Sequence, residues 1–226
     1  PGGATHSQAD GVVESISEAP QGGHIVVVGG QKHYVPVTLP LSVNRGDAVE
    51  AGDTLSGGIP NPAEIVKHKG IGEGRRYFVQ AFRKALIDSN AYGNRRNIEL
   101  VARGLINHVR LVDEVGDYVP GDILPYSSLE RNWEPRPGHD TGEPKHMIGR
   151  YLEKPVLHYT IGTKIGKKMA EQMQQYGVQR VLAHRDPPPF EPEMIRGMAN
   201  VAADPDWMTR MLGSYQQRSL LSATHR

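Results

Sequence analysis

The sequence predicts an α+β chain: a small β barrel or sandwich packed on a helical hairpin, followed by a smaller mixed α/β and helical C-terminal unit. Three observations carry that prediction. Gly-Asp recurs six residues apart, at Gly46-Asp47 and Gly52-Asp53, with Val43, Val49 and Leu55 at the same interval. Turn signals before Pro62 recur about every eight to twelve residues, the spacing of short antiparallel strands. After Pro62 the apolar period becomes that of helices.

Each element has its own reason. Residues 1–10 are polar and Gly-rich and read as a connecting arm. Gly11 to Ser17 alternates apolar and polar residues, His24 to Val28 is an apolar strand core, and Gly29-Gly30 makes the hairpin turn into Lys32 to Leu39. Pro36 confines that last strand to an edge or a bulge. The Gly-Asp pairs supply the backbone freedom and the local side-chain hydrogen bond of tight turns. Asn61-Pro62 is an N-cap followed by proline in the first helical turn. Ala63 to Lys69 then forms a short helix that Gly70 ends. Arg75 to Asp88 is amphipathic, and Asn94 caps a second helix with Ile98, Val101, Leu105 and Val109 on one stripe. Val119-Pro120-Gly121-Asp122 repeats the turn chemistry.

Residues 126–154 are polar, carry Pro135, Pro137 and Pro144, and read as a linker or surface loop. The last unit, 155–226, suggests a strand (Val156 to Thr160), a helix (Thr163 to Tyr176) and a strand (Val178 to Ala183). Asp186 to Pro192 then reads as a stiff extended connector, followed by helices over 193–200 and 206–223. The domains expected are therefore 1–10, 11–125, 126–154 and 155–226.

Composition narrows the function classes. The chain has 226 residues, 38% of them hydrophobic, enough for a real core. Lys and Arg number 26 against 25 Asp and Glu, so any basic surface is local. The absence of cysteine excludes disulfides, thiolate zinc sites and a cysteine nucleophile. It fits a reducing compartment or a virus particle. No apolar run reaches membrane-spanning length, and no signal-peptide pattern is found. An opening at Pro1 leads us to expect a processed product or a piece of a longer polypeptide.

Residue order brings in a family. VPVTLPLSVNRGDAVEAGDTLSGGIPNPAEIV (35–66), YFVQAFRKAL (77–86) and RRNIELVARGLINHVRLVDEVGDYVPGD (95–122) resemble the C-terminal part of the largest subunit, beta-prime, of bacterial multisubunit RNA polymerase. The resemblance implies that Gly11 to Leu55 is a sandwich-barrel hybrid type of β module with the helices from Pro62 to Arg110 as its neighbour. The family's magnesium loop, Asn-Ala-Asp-Phe-Asp-Gly-Asp, does not occur in this chain, nor do its zinc-binding cysteines or trigger loop. From this we expect a chain that supports or connects and does not catalyse, with no metal and no cofactor. A divergent phage-encoded relative is the expected source, in the virion or the host cytoplasm. Two function classes follow: a structural module of a large assembly such as a phage particle, or a segment of a polymerase largest subunit.

The candidate site residues are few. Arg75, Arg76, Arg83, Arg95, Arg96 and Arg103 offer a basic face for nucleic acid or an acidic partner subunit, or else a solvated helix face. GIGEGRR, from Gly70 to Arg76, offers either a phosphate cradle or a plain helix-breaking turn. Gly46, Asp47, Gly52, Asp53, Asn61 and Pro62 are structural turn residues. Trp207, Met208 and Met211 form an apolar stripe for a partner or for the core. The ten histidines show no metal-binding spacing, and His184 beside Arg185 and Asp186 is the nearest approach to a catalytic trio. Partners expected are other protein subunits, copies of the chain itself and nucleic acid, with no membrane.

Overall fold

Val13, Val26, Val28, Val35 and Val49 share one small apolar core with Leu55, and the strands that carry the valines form the first layer. The structure, a computed structural model, describes residues 2–194 and, beyond them, 207, 210, 211, 214, 215 and 218. Strands β1 (Gly11–Glu18), β2 (His24–Val28), β3 (Gln31–Val35) and β4 (Ala48–Val49) make an antiparallel sheet in the order β3-β2-β1-β4. It curls into a half-barrel. Gly29 and Gly30 take φ of 54° and 75°, the left-handed pair that a two-residue hairpin needs. Pro36 follows directly after β3, which is an edge strand.

Three turns repeat one construction. Asp47, Asp53 and Asp122 each donate a backbone N–H to the carbonyl three residues back, on Asn44, Glu50 and Val119. Each carboxylate accepts the N–H of that same residue, at 2.7, 3.1 and 3.1 Å. Gly46, Gly52 and Gly121 sit before the aspartates at φ of 93°, 89° and 94°, where a side chain would be strained. At each Gly-Asp pair the glycine takes the left-handed backbone and the carboxylate supplies the local hydrogen bond.

Residues 2–10, expected as an arm, are woven into this module. Ser7 N–H donates to Asp53 O, Gly52 N–H donates to Ser7 O, and Leu55 N–H donates to Thr5 O. His6 and Ser7 are buried, which a polar pattern conceals. The His6 ring donates from Nδ1 to Gly52 O at 2.8 Å and accepts Asn61 N–H on Nε2 at 2.9 Å. It thus joins arm, turn and helix start.

Helix α1 (Pro62–Asp88) opens on the Asn61 cap, whose side chain accepts Ala63 N–H at 3.0 Å, and it breaks at Gly70, where φ is 84°. Helix α2 (Arg95–Leu105) opens on Asn94 and packs on α1 through Val79, Ile98 and Ala102. Val101 is exposed and Val109 lies in the next strand, so the buried stripe is narrower and shorter than expected.

The remaining elements interlock. Strands β5 (His108–Leu111) and β6 (Ile123–Pro125) lead into α3 (Tyr126–Asn132); β7 (Asp140–Gly142), a 3-10 turn at Pro144–Met147 and β8 (Tyr151–Leu152) follow. Helix α4 (Lys167–Gln175), β9 (Val181–His184) and β10 (Phe190–Glu193) complete the described elements before residue 195. One sheet has the order β10-β5-β6 and another β7-β9-β8. Because β10 returns to pair with β5, no break in the core falls at residue 155. Val66, Ile71, Ile106, Tyr126, Ile161 and Phe190 bury one another across that boundary.

The segment expected as a linker is built around a buried carboxylate. Glu153 is 1% exposed and accepts Arg136 Nε at 2.8 Å, Arg136 N–H at 2.9 Å and Trp133 Nε1 at 3.2 Å. The same guanidinium donates to Asp186 O and Pro187 O. A buried charge this fully hydrogen-bonded orders the chain around it. The polar composition of 126–154 is thus internal wiring.

Three element boundaries also differ. Val156 to Thr160, expected as a strand, is a tight turn in which Val156 and Tyr159 exchange backbone hydrogen bonds. Helix α4 starts at Lys167 and not Thr163, because residues 163–165 hydrogen-bond to Arg150 and Leu152. Within the expected proline connector, Phe190 to Glu193 is strand β10. The helix expected over 193–200 lies outside the described residues after 194. Of the one expected over 206–223, only 207, 210, 211, 214, 215 and 218 are described, and they are helical. Among the described residues no helix is long and apolar enough to cross a membrane.

Candidate functional site

The glycines of Gly70 to Arg76 answer a packing demand. Helix α1 presses on the turn at residues 158–163 so closely that a Cβ at Gly72 would lie 1.7 Å from His158 O. One at Gly70 would lie 2.5 Å from Thr163 Oγ1, and one at Gly74 2.3 Å from Val66 Cγ2. Only hydrogen fits there. The space a phosphate cradle would need is filled by the His158 carbonyl and the Thr163 and Val66 side chains, which favours the helix-breaking turn.

Around that contact lies a cleft of about 1010 Å³, lined among others by Asp10, Glu50, Lys67, Glu73, Lys164 and Lys168. Its charges are largely consumed by one another. Asp53, from the second Gly-Asp turn, binds Lys168 Nζ at 2.6 Å and also pairs with Lys69. Lys164 pairs with Asp10 at 3.1 Å, and Glu73 pairs with His158 and Arg76. Burial pushes the Asp53 carboxyl up, but the Lys168 and Lys69 ammonium groups outweigh it and hold the group below the usual aspartate range. Glu73 is likewise held low against its burial, by His158 first. The turn aspartate thus fastens the β module to α1 and α4. Sequence reading assigned Asp53 to the turn alone, because Lys69 and Lys168 reach it from distant parts of the chain.

The six candidate arginines do not form one face. Arg75 turns inward: Nε donates to Ile106 O at 2.7 Å, Nη2 to Asn107 Oδ1 at 2.9 Å, and the guanidinium lies 5.9 Å from the Tyr126 ring centre. Burial lowers its pKa from the ordinary value, with Arg103 adding to the effect. It is a strut that ties α1 to the loop after α2. Arg76 lies in the cleft beside Glu73, and Arg95 pairs with Glu99 at 2.8 Å along α2. Arg83, Arg96 and Arg103 are exposed. What remains of the expected basic surface is therefore the outer side of the helix pair.

The other candidates are quickly placed. His184 Nε2 donates to Pro137 O at 3.2 Å, and His184 Nδ1 accepts Asp186 N–H at 3.0 Å. Both ring nitrogens are engaged with backbone, an arrangement that positions the loop. Trp207 is 60% and Met211 52% exposed, while Met208 lies outside the described residues. Asn61 and Pro62 cap α1 as expected.

No protein-family model matches the chain. Individual relatives do. A protein named DNA-directed RNA polymerase subunit beta' from Desulforudis audaxviator is 32% identical over 135 residues, which is 57% of this chain and 12% of that subunit. The subunit of the same name from Clostridium beijerinckii is 30% identical over 114 residues, 48% of this chain and 10% of its own length. That from Chlorobium phaeovibrioides is 34% identical over 104 residues, 44% of this chain and 7% of its own length. The chain thus spans about a tenth of the length of the relatives it matches. Over about half of its residues, this chain is similar to the beta-prime subunit of bacterial RNA polymerase, consistent with a C-terminal region of that subunit.

Proposed function

We propose that the chain is a non-catalytic segment of the largest subunit of a multisubunit RNA polymerase, bracing an active centre and nucleic-acid channel that other chains supply. The observation that carries this reading is the similarity over 135 residues to a polymerase subunit. The relatives lend no such support to a virion structural role. The build of the molecule favours bracing: the β module is tied to α1 and α4 by the Asp53 ion pairs and to the segment before α4 by Asp10 and Lys164, and the Gly72 contact locks α1 onto the 158–163 turn. The aspartate-rich magnesium loop of the family is not in this sequence, so nucleotide addition is assigned to other parts of the assembly.

Partners on this reading are the remaining polymerase subunits, with nucleic acid nearby. Co-expression of the tagged chain with a beta-like polymerase subunit tests it. The expected result is copurification in equal amounts, with no nucleotide polymerisation by the chain alone. Turnover by the purified 226-residue chain, or its recovery in fixed high copy with capsid or tail proteins, overturns the reading.

A further inference from the structure

The outer face of α2 has an unusual pattern. At about 100° per residue, Arg96, Leu100 and Arg103 fall within about 60° of one another, on the side of the helix away from Ile98 and Ala102, which pack on α1. All three are exposed, and Leu100 is 66% so. Arg95 is paired with Glu99 and so is not the cation on offer. The face therefore presents an apolar side chain between two guanidinium groups, one turn to either side along the helix.

We infer that this face docks a helical segment of another protein chain that carries an apolar side chain between two carboxylates at the same spacing. Charge and shape both select that occupant. A nucleic-acid backbone engages Arg96 and Arg103 but gains nothing from Leu100, whereas an acid-apolar-acid stripe uses the whole face. Guanidinium and carboxylate pair in a fixed fork geometry, which sets the register, and burial of Leu100 supplies the apolar anchor. The inference deepens the support role proposed above, naming the chemistry of the partner that one face of the module receives.

Fluorescence anisotropy on the full chain tests it with two probes. One is a synthetic helical peptide with leucine on one face and glutamate one turn to either side; the other is an oligothymidine. The peptide is expected to bind, and Leu100→Ser and the double variant Arg96→Glu/Arg103→Glu are each expected to weaken it at least about tenfold. These residues are solvent-facing, and circular dichroism verifies that the variants keep the fold. Oligothymidine binding lost in the arginine variant and unchanged in Leu100→Ser, without peptide binding, overturns the inference in favour of nucleic acid. Binding of neither probe, or peptide binding indifferent to both variants, overturns it outright. If the peptide binds at this face while the chain fails to copurify with a beta-like subunit, the docking surface stands and the polymerase assignment falls.

Discussion

The half-barrel of residues 11–55 and the stretch from 126 to 166 are ordered by opposite means. The first is shaped by local turns, a two-glycine hairpin and two turns that each close over four residues, and is closed by β1 pairing with β4 over one core of valines. The second buries apolar side chains too, Met147, Leu152, Tyr159 and Ile165 among them, but it is tied together by polar groups that reach far: Glu153 to Arg136, Arg136 to Asp186 and Pro187, and Tyr126 Oη to Ile161 N–H at 2.9 Å. Burial pushes the Tyr126 phenol up to about 12, so it stays a neutral hydroxyl in that role. Local turn chemistry tolerates piecemeal change, whereas a buried polar network fails as a unit.

The sharpest way to break that contrast is Glu153→Ala. It leaves the Arg136 guanidinium and Trp133 Nε1–H without their carboxylate in a site where Glu153 is 1% exposed. Removing one partner of a buried pair costs about 3–5 kcal/mol. Urea unfolding is expected to show a loss of unfolding free energy of that size, read as a lower midpoint at unchanged slope. A loss below about 1 kcal/mol, the surface-pair range, would return 126–154 to the status of a linker.

Gly72→Ala probes the seam between the two regions. The added methyl meets His158 O, a backbone atom that cannot rotate away, so α1 or the 158–163 turn must shift. Overpacking of this kind costs about 1–3 kcal/mol, and more when backbone has to move. The change is expected to lower the melting temperature. A variant as stable as the parent would show that the helix does not sit on that turn.

The same contrast explains what could be read from residues alone. Gly46-Asp47, Gly52-Asp53, Asn61-Pro62 and the break at Gly70 were legible because each signal lies within a few residues of its effect. Arg75 was not, since its place is decided by the Ile106 carbonyl in the next helix's cap. His6 was misread as part of a solvated arm because imidazole looks polar, yet neutral imidazole with one donor and one acceptor satisfies two buried backbone groups at once. Strand β10 hid inside a proline run, where Pro189 O accepts Val112 N–H and Phe190 enters the core. The candidate site suffered most, because a basic residue in sequence says nothing of the carboxylate or carbonyl that will claim it.

Asp53 belongs to both regimes, and acid titration separates its two duties. Its folded pKa lies below the unfolded value near 3.8, because Lys168 and Lys69 outweigh the opposing effect of burial. A depressed carboxylate contributes stability that is present above the unfolded pKa and lost as pH falls through the folded one. The ammonium partners are partly exposed, Lys168 by 63%, so the contribution is modest, under about 1 kcal/mol for each pair. Asp53→Asn retains an oxygen to accept Glu50 N–H in the turn but has no charge for the lysines. The variant is expected to unfold at a lower urea concentration than the parent at about pH 6 to 7, with the offset shrinking as pH falls below 3.8 through the folded pKa. Equal offsets at both ends of that range would mean that Asp53 serves the turn alone, and that the half-barrel is fastened to α4 by something other than charge.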